Sequence, residues 1–288
     1  MRITTLLVWL LALVASPAMA ASTPSLVSLE RDLSMMLQGQ SGDVGVAALD
    51  MKTGEMISLK GDTAFPMAST MKIAVAANYI AQVEFGRRSL DDRIAGTSAR
   101  ALIEAMMTHS DNRATDLLIG NLGGPAKINQ WLTERGVRGI RVDRNIADLL
   151  AAKRDLWDVR DSATPRAMVE LLRKIDRGEL LRPQGTSYLL GVMARCQTGK
   201  NRMRYLLPNG TLVQHKTGTL NNYTSDVGFI SLPDGRRLAV AFFARGGTNR
   251  PATIAQAAKA IYDGFRNVLS TPFSQPFTRS FGTVGTSN

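Results

Sequence analysis

Ala68-Ser69-Thr70-Met71-Lys72 follows Phe65-Pro66 and opens an apolar run that reaches Phe85. The residue before a proline is pushed towards extended backbone. The chain through Pro66 therefore reads as extended, and Met71 to Phe85 as a helix apolar enough to be buried. A serine and a lysine three apart at a helix start share one face. A serine hydroxyl is a poor nucleophile until a neighbouring base takes its proton. An amine can be that base only where desolvation or nearby positive charge lowers its pKa. The apolar helix supplies the first condition, and the positive end of the helix dipole favours negative charge at Ser69. The pair alone fits a helix-start serine beside a snorkelling lysine equally well, so the rest of the chain has to decide.

The 288 residues are 44% hydrophobic and 20% charged, enough for one large domain or two lobes around a shared cleft. Met1-Arg2, the apolar stretch Ile3 to Val14 and the Ala-x-Ala pattern closing at Ala20 read as a secretory signal, residues 1–20, cleaved after Ala20. The alternative is a retained anchor, but the apolar run is short for a membrane span. The mature protein is expected to be periplasmic or secreted, without stable membrane insertion. Cys196 is the sole cysteine; it allows no internal disulfide and reads as a small buried hydrophobe. The formal charge of +11 draws the protein to polyanions, but no nucleic-acid-binding motif accompanies it. The densest basic cluster, Arg135, Arg138, Arg141 and Arg144, reads as a solvated face.

Apolar spacing predicts helices over Ser25 to Leu37, Arg100 to Met107, the segment through Leu117-Leu118-Ile119, the one after Pro125, Arg166 to Ile175, Gly185 to Ala194, and Pro251 to Leu269. Strands are predicted over Val44 to Leu49, Met56 to Leu59, Thr211 to Thr219, Ser225 to Leu232 and Arg237 to Ala244. Arg138 to Asp161 reads as a long loop with one helical turn, a length often tied to function. Strands early and late with helices between predict an α+β fold. An antiparallel sheet is flanked by the terminal helices and carries an inserted all-helical lobe. The catalytic domain spans 21–270, its α/β lobe about 21–68 and 210–270 and its helical lobe about 69–209. Residues 271–288 are expected to be a mobile tail.

Three short sets occur in one order: Ser69-Thr70-Met71-Lys72, Ser110-Asp111-Asn112 and Lys216-Thr217-Gly218. Each is weak alone; together they resemble the motif set of class A β-lactamases and penicillin-binding proteins. Asp111-Asn112-Arg113-Ala114, Leu117-Leu118, Gly123-Gly124-Pro125, Arg160-Asp161-Ser162-Ala163-Thr164-Pro165 and Thr248-Asn249-Arg250 extend the resemblance over roughly residues 25 to 269. The resemblance implies the serine β-lactamase-like fold and a serine hydrolase acting on a cyclic amide, with no cofactor. Ser69 would be the nucleophile, Lys72 the base or a relay to one, and Ser110 the group that passes a proton to the leaving nitrogen. Backbone N–H groups of Ser69 and Thr219 would hold the oxyanion. Asn112 would bind the substrate's side-chain amide, and Lys216 with Thr217 its carboxylate. Gly218 would admit a close backbone approach, and Asp111 would brace its loop. Arg202 or Arg204 could add positive charge for the carboxylate. His215, on the opposite face of the strand from Lys216, and His109 read as structural. Two histidines and one cysteine far apart give no zinc pattern.

The resemblance breaks in two places. The family's deacylating glutamate sits in a Glu-x-x-Leu-Asn motif that this chain lacks. Arg144 and Asp161 match the ion pair closing that loop. Counting back from Asp161 puts Asp148 at the glutamate position, whereas counting forward from Arg144 puts Ile146 there. Asp148 is the nearest carboxylate that could activate water. The segment between Lys72 and Ser110 is also shorter than in typical members, which predicts a more open cleft. Three functions stay open. One is a secreted β-lactamase. A second is a penicillin-binding or D-Ala-D-Ala peptidase-like acyltransferase that deacylates slowly. The third is a non-catalytic envelope-binding protein. The expected partner is a small-molecule β-lactam or a wall peptide, and nothing in the sequence demands more than a monomer.

Overall fold

On two strands, alternate residues are buried on opposite faces of one sheet. Val46 and Ala48 face one way and Ala47 and Leu49 the other; Leu238, Val240 and Phe242 oppose Ala239, Ala241 and Phe243. Both sets are buried, so the sheet must be covered on both sides. The structure is a computed structural model that describes residues 24–152 and 156–268. The signal-like segment 1–20 and the tail 271–288 lie outside the described residues, as does a short piece of the predicted long loop.

In chain order the elements are α1 (Pro24–Gln38), β1 (Asp43–Asp50), β2 (Met56–Leu59), β3 (Phe65–Pro66), a 3-10 turn (Ala68–Met71), α2 (Lys72–Glu84), β4 (Arg93–Ile94), β5 (Thr97–Ser98), α3 (Ala99–Thr108), α4 (Asn112–Asn121), α5 (Pro125–Glu134), α6 (Ile146–Ala151), β6 (Ser162–Ala163), α7 (Pro165–Asp176), α8 (Pro183–Ala194), β7 (Val213–Leu220), β8 (Tyr223–Ser231), β9 (Arg237–Arg245) and α9 (Arg250–Val268). The main sheet has the order β2-β1-β9-β8-β7, and its pairings are antiparallel. The first and last strand segments of the chain thus meet at its centre, where Val46 pairs with Phe242.

Helices α1 and α9 pack against each other and cover one face through Leu26, Leu33, Ile254, Ile261 and Phe265. The opposite face and the helices beyond it share a second core around α2. Fully burying a Phe, Leu or Ile side chain is worth about 2 kcal/mol relative to exposure. α7 departs from the sequence-based division. It packs on β1 and β9, so it is a layer of the sheet as much as part of the helical lobe. The short pairs β3–β6 and β4–β5 carry no periodicity, because two residues are too few to show one. β3 is anchored from both sides: Phe65 stacks on Phe243 with ring centroids 5.9 Å apart, and the Tyr223 hydroxyl donates to Pro66 O. These contacts fix the approach to Ser69.

Edge strand β7 is held close to β8 at Gly228, which pairs with His215. A Cβ on Gly228 would fall 2.1 Å from Gln214 O and 2.6 Å from His215 Cα. Both are backbone atoms that no rotamer change can clear. Gly228→Ala should therefore lower the unfolding free energy by about 2 kcal/mol or more, in the range of overpacking. Urea denaturation checks this, and an unchanged midpoint would refute it.

Candidate active site

The residue before the nucleophile candidate, Ala68, has φ +50°, an uncommon value for a residue with a Cβ. The turn is pinned by the Thr70 hydroxyl, which donates to Met67 O at 2.7 Å, and by the Met67 N–H, which donates to Asp161 O at 2.9 Å. It leaves Ser69 half-buried while Lys72, at the first position of α2, is fully buried. Gly218 of β7 lies directly against this turn. A Cβ there would come within 2.6 Å of Met67 O and 3.0 Å of Ala68 Cβ. Its close approach is thus to the Ser69 turn itself, which brings β7 and the start of α2 together.

Ser110 connects the two amines. It has φ +61° and sits just ahead of α4, whose N-cap is Asp111, accepting from Ala114 N–H at 2.6 Å. Lys72 Nζ donates to Ser110 O at 2.8 Å, Ser110 Oγ at 3.2 Å and Asn112 Oδ1 at 2.8 Å. Lys216 Nζ donates to the same Ser110 Oγ at 3.0 Å and to Thr217 O at 2.8 Å. Both lysines are inaccessible to solvent, and each amine's acceptors are carbonyl, amide or hydroxyl oxygens.

Burial and the nearby Lys216 pull Lys72 down to about 7, against smaller opposing effects of Asp111 and Asp116. Burial lowers Lys216 to about 8; Arg202 also lowers it, while Cys196 and Asp226 oppose the fall. An uncharged amine at neutral pH within reach of a serine hydroxyl can act as a general base.

Arg202 completes the positive side. Its guanidinium donates to Gly218 O and Ser225 O, both at 3.0 Å, and to Thr219 Oγ1 at 2.7 Å. Among the described residues no hydrogen bond ties Arg204 to this cluster. Ser69, Lys72, Ser110, Asn112, Lys216, Thr217, Gly218, Thr219 and Arg202 therefore belong to one neighbourhood, at the seam between β7 and the helices.

A sequence model described as the β-lactamase enzyme family matches residues 28–265. The chain belongs to that family. It is 31% identical over 277 residues to β-lactamase OXY-2 of Klebsiella oxytoca, covering 88% of this chain and 93% of that one. It is 29% identical over 267 residues to the extended-spectrum β-lactamase PER-1 of Pseudomonas aeruginosa, covering 81% and 86%. Among solved structures, a β-lactamase from Chitinophaga pinensis has a TM-score of 0.78 at 26% identity, covering 83% of this chain and 99% of that chain. An ancestral class A β-lactamase has a TM-score of 0.77 at 33% identity, covering 82% and 100%.

The loop before α7 is one of the two places where the sequence departs from the family's pattern. Asp161 is buried and accepts from the N–H groups of Asp143 and Arg144, at 2.7 and 3.0 Å, and from Arg144 Nε at 2.6 Å. Arg144 also reaches Asp158 at 3.3 Å. Further along, Asp116 of α4 accepts from Ile146 N–H at 2.6 Å and Ala147 N–H at 3.0 Å. These bonds turn Ile146 inward, where it is buried, while Asp148 is exposed in the first turn of α6.

Asp148, expected to activate the hydrolytic water, stands apart from the cluster: it is exposed, away from the core that Ile146 and Leu149 enter, and no hydrogen bond joins it to Ser69, Lys72 or Ser110 among the described contacts. The register that keeps Leu149 on the leucine of Glu-x-x-Leu-Asn places Ile146 on the glutamate and Leu150 on the asparagine. Ile146, Leu150, Leu117 and Asn112 line one hollow beside the cluster.

Asp161→Ala should cost about 3 kcal/mol, since it strands the buried Arg144 and two backbone donors. Asp148→Ala should stay within about 0.5 kcal/mol of the parent. Urea titration of both variants tests the loop's anchoring; equal effects would contradict it.

Proposed function

We propose that the protein hydrolyses β-lactams in two steps through an acyl-Ser69 intermediate, and that the second step is the slower. The observation carrying this reading is the buried amine of Lys72, placed one turn from Ser69, bonded to Ser110 and lowered by burial to about 7. Lys72 takes the Ser69 proton as Oγ attacks the lactam carbonyl. The carbonyl oxygen becomes an oxyanion in reach of the Ser69 and Thr219 N–H groups. The C–N bond then breaks, Ser110 gives its proton to the leaving nitrogen, and Lys72 returns a proton to Ser110 along their hydrogen bond. Lys216, Thr217 and Arg202 hold the substrate carboxylate, and Asn112 its side-chain amide. The hollow bounded by Ile146, Leu117 and Leu150 takes the apolar part of the acyl group.

Deacylation needs a base for water. The family places a carboxylate there, and this chain has Ile146. Lys72, neutral again after the first step, serves instead, without the hydrogen-bonded carboxylate that would hold a water in line. A penicillin-binding type of acyl transfer is favoured by the same apolar loop. The two readings differ only in the lifetime of the adduct. We further propose export on the strength of the N-terminal pattern, and action as a monomer on a small β-lactam.

Acylation should need Lys72 uncharged and Lys216 charged. Its rate should rise with pH through about 7 and fall above about 8, a bell set by the two coupled amines. Stopped-flow acylation with a fluorescent penicillin measures this, and a flat profile from acid to base would contradict it. Mass spectrometry should find the adduct on the parent and none on Ser69→Ala. Ile146→Glu should speed loss of the adduct by about a hundredfold, the usual worth of a positioned general base. Asp148→Asn should leave that rate unchanged. An adduct that survives Ile146→Glu would remove the loop from the deacylation step.

A further inference from the structure

Behind the strand that presents Lys216 lies a chain of polar side chains that the mechanism above does not use. His215 points away from Lys216 and is wholly buried, with Nδ1 2.7 Å from Asp226 Oδ1 on β8. The space for the ring is left by Gly228, its partner across the strands, which has no side chain. Asp226 Oδ2 also accepts from Met203 N–H at 3.3 Å. Among the described residues the other ring nitrogen, Nε2, meets no hydrogen-bond partner. Cys196 and His215 act on one another electrostatically, each favouring the other's charged form.

Cys196 is itself buried. Its sulfur lies 3.3 Å from Thr198 Oγ1. Thr198 Oγ1 is in turn 2.5 Å from Thr217 Oγ1. Gly199, with φ +68°, holds this bend so tightly that a Cβ there would strike the Thr217 methyl at 2.5 Å. A path of contacts therefore runs Cys196–Thr198–Thr217 to a hydroxyl of the carboxylate-binding strand, with the Asp226–His215 pair behind the same strand. Buried this deeply, the cysteine cannot be a second nucleophile for the cleft.

We propose that Cys196, backed by the His215–Asp226 pair, is a positioning residue for substrate-carboxylate recognition: its sulfur fixes Thr198 and through it the Thr217 hydroxyl. This rests on the reading of Thr217 and Lys216 given above. Burial opposes charge on both Cys196 and His215, yet each favours the other's charged form. Asp226 adds to the effect on the ring. The thiol is pulled down, to about 7, and the imidazole pushed up, to about 9, both in the direction of a thiolate–imidazolium pair. The charged groups around the sulfur are His215 and Lys216 of β7, Asp226 of β8, and Arg202 of the segment before β7. Removing the thiolate takes away an influence that raises Lys216, so the Lys216 ammonium should then be lost at lower pH.

Because the chain has one cysteine, the ultraviolet absorbance of the thiolate in the unmodified protein reports this site alone. It should titrate near 7 instead of the ordinary 9.0. Acylation is then compared for a penicillin with a free carboxylate and for its methyl ester. Cys196→Ala should slow reaction with the acid about tenfold and change the ester by less than about twofold, the scale of one lost hydrogen bond. Cys196→Ser, which keeps a hydroxyl for Thr198, should recover part of that rate. In both variants the alkaline limb should move to lower pH. Equal losses on acid and ester, or no loss on the acid, would overturn the positioning role. A thiol titrating near 9.0 would overturn the thiolate–imidazolium pair. Failure of the parent to react with either lactam would overturn the reading of the whole site, while the thiol titration would still judge the pair.

Discussion

Two lysine side chains are driven into one solvent-free space and share one hydroxyl, and the rest of the structure is arranged to keep them there. An ammonium buried without a carboxylate partner is costly, and the usual response is loss of its proton. Lys72 and Lys216 meet at Ser110 Oγ, at 3.2 and 3.0 Å. The repulsion between them and their joint burial make Lys72 a base. A carboxylate beside Lys72, such as the family's loop glutamate, would favour the ammonium. In the mechanism proposed above, Ile146 in its place would act in two opposite directions: it would leave the amine free for acylation and remove the group that would position water afterwards.

The fold secures this encounter from several directions. α2 is buried along its first ten residues, so Lys72 cannot swing out to solvent. β7 is pressed on one side against the Ser69 turn at Gly218 and on the other against β8 at Gly228, so Lys216 cannot move away. Ser110 is held in a left-handed conformation ahead of α4, whose cap is Asp111. Three elements far apart in sequence thus converge on one oxygen. The same packing explains why the back of β7 matters. In the proposal above, a strand pinned this tightly would pass the position of Cys196 and Thr198 on to Thr217 without any large movement.

Much of this was legible in the sequence where the signal is local. Short, nearly continuous apolar runs bounded by turn residues marked β1, β8 and β9 because both faces of the sheet are covered, and the three motifs marked Ser69, Ser110 and Lys216 because their spacing is set within one turn or strand. The loop was not legible, because its path is decided at long range. Asp116 holds the N–H groups of Ile146 and Ala147, thirty residues on, and Asp161 holds those of Asp143 and Arg144. Counting from either end of the loop could not reveal which residue those bonds turn inward. Cys196 and His215 read singly as buried structural residues, and both are buried; the contacts of Cys196 with Thr198 and of His215 with Asp226 depend on the bend at Thr198 and the pairing of β7 with β8, which the sequence does not show. Arg202 and Arg204 could be separated only by seeing which guanidinium reaches Gly218 and Thr219.

The central claim is that the Lys72 amine is uncharged near neutrality in the folded protein. Carbon-13 NMR of the protein labelled at lysine Cε, with the resonance assigned by loss in Lys72→Arg, follows that amine directly. The account predicts a midpoint near 7, well below the ordinary lysine value of 10.5. A resonance that stays in the ammonium position until the exposed lysines titrate would contradict it.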